Sequence, residues 1–120
     1  MNFLVVDDVK FDRSMIELCV KKLGFSVSSA ANEKEMFAYC KKNMPDCILL
    51  DWEMGETTGI VLLNKLRAME GGSDVKVFIC TSNDHPSYVG HAYLQGADSF
   101  IPKPVTIEKL TEKLQELDLL

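Results

Sequence analysis

Short apolar runs alternate along this chain with stretches whose apolar positions recur every three or four residues. Phe3 to Val6 is an apolar run that ends at Asp7-Asp8. From about Phe11 to Leu23 the spacing is helical, with Met15, Ile16, Cys19, Val20 and Leu23 on one face, and Gly24 is a natural stop. Phe25 to Ala30 alternates apolar and small polar residues, as a partly covered strand does. Asn32 with Glu35 three residues on is a capping-box pattern, and the helix it opens runs through Phe37 and Cys40 until Pro45-Asp46 breaks it. Cys47 to Leu50, a continuous apolar run, predicts a third strand. A helix starting near Thr58 carries Val61, Leu62, Leu66 and Met69, and Gly71-Gly72-Ser73-Asp74 is turn sequence. Val75 to Cys80 predicts a fourth strand. Pro86 suits the first turn of a helix that runs to about Gln95 and stops at Gly96. Ser99 to Ile101 predicts a short fifth strand, and Thr106 caps a last helix carrying Ile107, Leu110, Leu114 and Leu117.

Five strands alternating with five helices imply an α/β fold, a parallel sheet covered on both faces. In such sheets ligands sit outside the carboxyl ends of the strands. The residues at those ends are Asp7 and Asp8 after strand one, Asp51 after strand three, Thr81 and Ser82 after strand four, and Lys103 after strand five. A buried strand that runs into a carboxylate is costly unless the acid is paired or metal-bound. Three carboxylates gathered at one edge must hold protons or share a cation. An all-oxygen ligand set favours a hard ion such as Mg²⁺, with Mn²⁺ a plausible substitute. Thr81 and Lys103 would face an anion on the open side of that ion, the arrangement that stabilises a transferring phosphoryl group. A carboxylate can itself accept the phosphoryl group, and Asp51 is the most central of the three. Taken singly, each residue is equally explained as a turn, a cap or a strand-end hydroxyl. The joint arrangement carries the specificity.

Bulk properties narrow the partners. A chain of 120 residues that is 47% hydrophobic and 26% charged is expected to fold as one globular domain, 1–120. A net charge of −5 without a basic cluster argues against nucleic acid and anionic membranes as partners. No apolar run reaches the roughly 20 residues of a membrane span, and no signal peptide precedes Phe3, so the cytoplasm is the expected location. Cys19, Cys40, Cys47 and Cys80 show no metal-ligand spacing and sit in apolar contexts, which predicts free, buried thiols.

In this order the motifs resemble the receiver domain of two-component response regulators over essentially the whole chain. "FLVVDD" resembles the first strand with its acidic pair, "PDCILLDWEM" the phosphoacceptor strand, "VFICTSND" the switch hydroxyl at Thr81, and "GADSFIPKP" the switch aromatic Phe100 with the lysine Lys103. Gly59 stands at the place of the family's loop glycine. The resemblance implies a flavodoxin-like, doubly wound five-stranded sheet in the order 2-1-3-4-5. It implies that Asp51 accepts a phosphoryl group from a phosphohistidine of a histidine kinase or histidine phosphotransfer protein. It further implies Mg²⁺ on Asp8 and Asp51, on Asp7 mostly through water, and on the backbone carbonyl of Glu53. Thr81 and Lys103 would bind phosphoryl oxygens, Phe100 would rotate inward, and the face made by the fourth helix, fifth strand and fifth helix would change for a downstream protein target. A cis Lys103–Pro104 bond is also implied.

Several positions depart from the family pattern. Gly55 stands where proline is common, which would loosen that loop, and Thr57 and Thr58 replace bulkier residues although either can cap the helix. Glu53 adds a rim carboxylate, expected either on the Mg²⁺ shell, where it would compete with phosphoryl oxygens, or in solvent, and Asn83 is expected to face the site. Tyr88, His91 and Gln95 form one stripe of the fourth helix, a partner surface or a solvated face. His85 and His91 are not placed as metal ligands. With no output domain after Leu120, a stand-alone regulator of the chemotaxis type is the leading expectation. A relay intermediate and a receiver cut from a longer regulator stand behind it. Two rivals of other classes are weaker. An Asp-nucleophile phosphatase would use Glu53 as its second acid but has no cap domain, and a flavin site would need a phosphate cradle that "DDVKFD" does not supply.

Overall fold

The computed structural model describes residues 1–54, 57–83 and 85–120, with the backbone alone at Thr57. Gly55, where a looser loop was expected, lies outside the described residues. Five strands, β1 (Asn2–Val6), β2 (Ser26–Ala30), β3 (Cys47–Asp51), β4 (Lys76–Thr81) and β5 (Ser99–Pro102), form one parallel sheet in the order β2-β1-β3-β4-β5. The helices that connect and follow them are α1 (Lys10–Lys22), α2 (Glu33–Lys42), α3 (Gly59–Ala68), α4 (Pro86–Leu94) and α5 (Ile107–Glu116). This is the doubly wound arrangement and strand order that the motifs implied.

The period-two alternation of the strands divides the core in two. Leu4, Val6, Ile48, Leu50, Val77 and Ile79 face α2, α3 and α4. Phe3, Val5, Leu49, Phe78, Cys80 and Ile101 face α1 and α5. Two residues expected on buried helical faces are not there. Met15 of α1 is 45% exposed and Val61 of α3 is 40% exposed. In each helix the residue one step on, Ile16 and Leu62, takes the core position, because a helix against a sheet buries a narrower stripe than the run of apolar residues suggested.

Local chemistry sets the element boundaries. Asn32 Oδ1 accepts from the Glu35 N–H at 2.9 Å while the Glu35 carboxylate accepts from the Ala31 N–H at 2.8 Å, a reciprocal cap at the start of α2. Thr106 Oγ1 accepts from the Lys109 N–H at 3.2 Å and starts α5. Thr58 holds the N-cap position of α3, but its side chain makes no capping bond. Between β3 and α3 the structure adds a feature too short to show in the sequence pattern, a two-residue antiparallel ladder pairing Glu53–Met54 with Thr57–Thr58. Gly59 closes it: its N–H donates to the Trp52 carbonyl at 2.8 Å, and a Cβ there would lie 2.8 Å from the Trp52 Cα. The glycine is required by close approach of two backbones, so α3 can begin directly against the end of β3.

Arg67 ties the far side together. Its guanidinium donates to the carbonyls of Gly72, Val75 and Gly96 at 2.6–2.8 Å and to Asp98 at 3.0 Å, and Asp98 accepts in turn from the Val77 N–H at 2.9 Å. The four cysteines are free and buried, as expected. Burial pushes the Cys40 thiol up to about 11 and that of Cys47 up to about 12, which keeps both protonated and inert.

Candidate functional site

Parallel register delivers four strand ends to one edge. Val6 pairs with Leu50, Asp51 lies opposite Cys80, and Thr81 lies opposite Pro102. Asp7, Asp51, Thr81 and Lys103 therefore emerge together. Asp51 is 4% exposed and Asp7 fully buried, whereas Asp8 faces solvent. One carboxylate oxygen from each of the three lies within 4.8 Å of the others. That spacing is close to the span of two metal–oxygen bonds of about 2.1 Å, and three hard oxygen donors with an exposed side fit Mg²⁺.

Lys103 is the cation at the centre. Its Nζ lies 3.1 Å from Asp7 Oδ2 and 3.3 Å from Asp51 Oδ1. It also lies 3.3 Å from Asp12 Oδ2. Its backbone N–H donates to the Thr81 carbonyl at 2.8 Å, and the Lys103–Pro104 bond that follows is cis, as the family resemblance implied. The carboxylates are fixed from below as well. Asp7 Oδ1 accepts from the Val9 N–H at 2.9 Å, and Asp51 Oδ1 accepts from the Glu53 N–H at 3.2 Å. Arg13 donates to the Asp7 carbonyl at 2.9 Å. Burial, and then the charge of Asp7, push the Asp51 carboxyl up to about 6 against the pull of Lys103. For Lys103, burial alone would lower the ammonium pKa. Its bond to Asp7 and the charges of Asp51 and Asp7 outweigh burial, and the group stands above the ordinary lysine value.

Asp12 was not anticipated. It sits in the first turn of α1, beside the strand-one edge, and the acidic run "DDVKFD" is the only sequence hint of it. Glu53 stands exposed at the rim, one of the two places expected for it. Its side chain is not part of the three-carboxylate cluster; it accepts a hydrogen bond from Thr81 Oγ1 at 3.1 Å. Asn83 meets the site through its backbone. Its backbone N–H donates to Thr81 Oγ1 at 3.0 Å, while its side chain accepts from the His85 N–H at 3.1 Å.

Thr81 itself is 1% exposed. Phe100 is half-buried, packed edge-on to Tyr93 at 6.4 Å with Lys113 Nζ 4.8 Å from its ring centroid. Tyr88 leaves the stripe proposed for it and packs edge-on against Trp52 at 6.2 Å, while His91 stays exposed. Trp52, Glu53, Ile60, Tyr88 and His91 border a cleft of about 390 Å³ beside the acidic edge. Among the described residues, no helix is long and apolar enough to cross a membrane.

Comparison with known proteins agrees with this geometry. The sequence model of the response regulator receiver domain matches residues 3–115. The chemotaxis protein CheY of Bacillus subtilis is 30% identical over 116 residues, 96% of this chain and 95% of that protein. The phosphate regulon transcriptional regulatory protein PhoB of Pseudomonas aeruginosa is 30% identical over 114 residues, 95% of this chain but 50% of that protein. The chain thus spans about half the length of PhoB and of the several MprA response regulators it also matches. Among solved structures, chemotaxis protein CheY4 of Vibrio cholerae superposes with a TM-score of 0.89 at 26% identity, covering 96% of each chain.

Proposed function

Because this chain belongs to the response regulator receiver domain family, we propose that it is a phosphorylation-driven cytoplasmic signalling switch with Asp51 as its phosphoacceptor. The observation that carries the reading is the junction of Asp7, Asp8 and Asp51 with Lys103 at the carboxyl edge of the sheet. Asp7, Asp8, Asp51 and the Glu53 carbonyl would hold Mg²⁺, which when bound neutralises charge on the phosphoryl oxygens. An Asp51 carboxylate oxygen forms the new bond to phosphorus as the phosphorus–nitrogen bond of a phosphohistidine breaks, and the electron pair stays on the imidazole. Lys103 and the Thr81 hydroxyl donate to the phosphoryl oxygens. The shift of Thr81 frees space for Phe100 to turn inward, which alters the face formed by α4, β5 and α5 for a protein target. Hydrolysis of the acyl phosphate resets the switch, so the catalysis is limited to the protein's own modification.

Incubation with a small phosphodonor and Mg²⁺ is expected to give one acid-stable, base-labile phosphoryl adduct in the wild type and none in Asp51→Asn. An adduct that survives in Asp51→Asn contradicts the assignment, as does the lack of an adduct with every donor tried.

A protein donor must also cover the mouth of the site. The outward side of α1 starts at that mouth and is apolar: Phe11 is 72% exposed, and Met15 and Leu18, spaced at i+4 and i+7, are each 45% exposed. Replacing Phe11 with Ala is expected to slow phosphotransfer from a histidine phosphotransfer protein about tenfold, the scale of one interface anchor. The rate with a small phosphodonor should not change. Equal slowing with both donors would place Phe11 in the fold or chemistry instead.

A further inference from the structure

The two donors that would receive a phosphoryl group each hold a carboxylate from outside the metal cluster. A threonine hydroxyl has one proton to donate, and that of Thr81 goes to Glu53 Oε1 at 3.1 Å. The Asn83 N–H at 3.0 Å occupies the acceptor side of the same oxygen and fixes its orientation. An ammonium has three protons, and Lys103 faces three carboxylates within 3.3 Å: Asp7, Asp12 and Asp51. The Thr81 hydroxyl has no second proton, and the Lys103 hydrogen bonds go to Asp7 and Asp12 while Asp51 stands 3.3 Å away as an ion pair, so a phosphoryl group on Asp51 competes with Glu53 for Thr81 and with Asp7 or Asp12 for Lys103.

Burial decides which partner yields. Asp7 is fully buried, and releasing it would strand a carboxylate without its cation. The Asp12 side chain is 39% exposed, so water can replace Lys103 there. Glu53 is exposed and borders the 390 Å³ cleft beside Trp52 and Tyr88, which leaves its carboxylate room once Thr81 withdraws. We infer that Glu53 and Asp12 are resting-state latches, positioning residues that occupy the Thr81 hydroxyl and one Lys103 proton until phosphoryl oxygens displace them. The inference rests on the reading of Asp51 as phosphoacceptor. It concerns how strongly the resting state resists the switch, which Asp51 alone does not set.

The fluorescence of Trp52, the single tryptophan and the neighbour of Asp51, is the probe for binding of beryllofluoride with Mg²⁺ as a phosphoryl stand-in. Glu53→Ala and Asp12→Asn are each expected to tighten that binding about fivefold, the scale of one partly exposed charge-assisted hydrogen bond. The double variant should show the product of the two effects, since the latches hold different donors. The Glu53→Ala effect should vanish in a Thr81→Ala background, and the Asp12→Asn effect in a Lys103→Met background. A latch hypothesis is overturned by an absence of tightening in either single variant. Tightening that persists in full after its donor is removed also overturns it, since the effect is then plain charge repulsion. If the wild type binds no beryllofluoride, or Asp51→Asn binds it equally well, the phosphoacceptor reading itself fails.

Discussion

Replacing Lys103 with Met is expected to destabilise the metal-free protein by about 3 kcal/mol, the cost of stripping a buried ion-pair network of its cation. Lys103 Nζ is within 3.3 Å of Asp7, Asp12 and Asp51, and two of those acids are almost wholly withdrawn from water. Without the ammonium, Asp7 and Asp51 repel at close range in a poorly solvated edge. Two rescues follow from the same geometry. A divalent cation supplies the missing charge, so Mg²⁺ should raise the melting temperature of the variant more than that of the wild type, and should bind it more tightly. Acid is the second rescue. The Asp51 carboxyl already stands at about 6 in the folded protein, above its value in an unfolded chain. Its ionised form therefore weakens the fold above that pH, and the penalty is relieved as pH falls through it. Removing Lys103 moves the carboxyl higher still, so the deficit of the variant should shrink on acidification from neutral pH. Thermal melts across pH, with and without Mg²⁺, check all three parts. A variant as stable as the wild type without metal would contradict this account of the site's electrostatics.

Substituting Gly72 with Ala is expected to cost about 4 kcal/mol, in the range that signals a specific clash rather than ordinary loss of contacts. A Cβ at Gly72 would lie 1.8 Å from the Leu66 carbonyl oxygen and 3.1 Å from that of Met69. Both are backbone atoms that terminate α3, and neither can swing aside as a side chain would. The Gly72 N–H donates to the Met69 carbonyl at 2.9 Å, and its own carbonyl accepts from Arg67 at 2.8 Å. The clash therefore also strains the Arg67 network that holds the start of β4 and the end of α4. The same substitution at Gly90, inside α4 with open space around it, should instead stabilise by about 0.5–1 kcal/mol through helix propensity. Urea denaturation midpoints with unchanged slopes would measure both. Equal effects at the two glycines would show that backbone approach is not the cause.

The elements that were legible in the sequence are those with a strong period. The apolar runs from Phe3 and Cys47, the caps at Asn32 and Thr106 and the stop at Gly96 are set by a few neighbouring residues, and the structure reproduces them. Strand ends at one edge of a parallel sheet follow from topology, so the meeting of Asp7, Asp8, Asp51 and Lys103 was foreseeable from their places after strands. Side-chain partners across elements were not. Glu53 could point to metal, solvent or Thr81 from the same backbone position, and only the path of the Glu53–Met54 ladder decides for Thr81. Asp12 reaches Lys103 because of where α1 begins, at Lys10, and helix starts are the least sharply written part of a sequence. Met15 and Val61 were misplaced for a related reason: an apolar residue beside a buried stripe looks the same whether it faces the sheet or a partner.

If the acid at the end of β3 carries the phosphoryl group, the modified residue can be read directly. Borohydride reduces an acyl phosphate of aspartate to homoserine, which peptide mass spectrometry can locate. After treatment with a small phosphodonor and Mg²⁺, homoserine is expected to replace Asp51 and no other acid. Reduction found at Asp7, Asp8 or Glu53, with Asp51 intact, would contradict it.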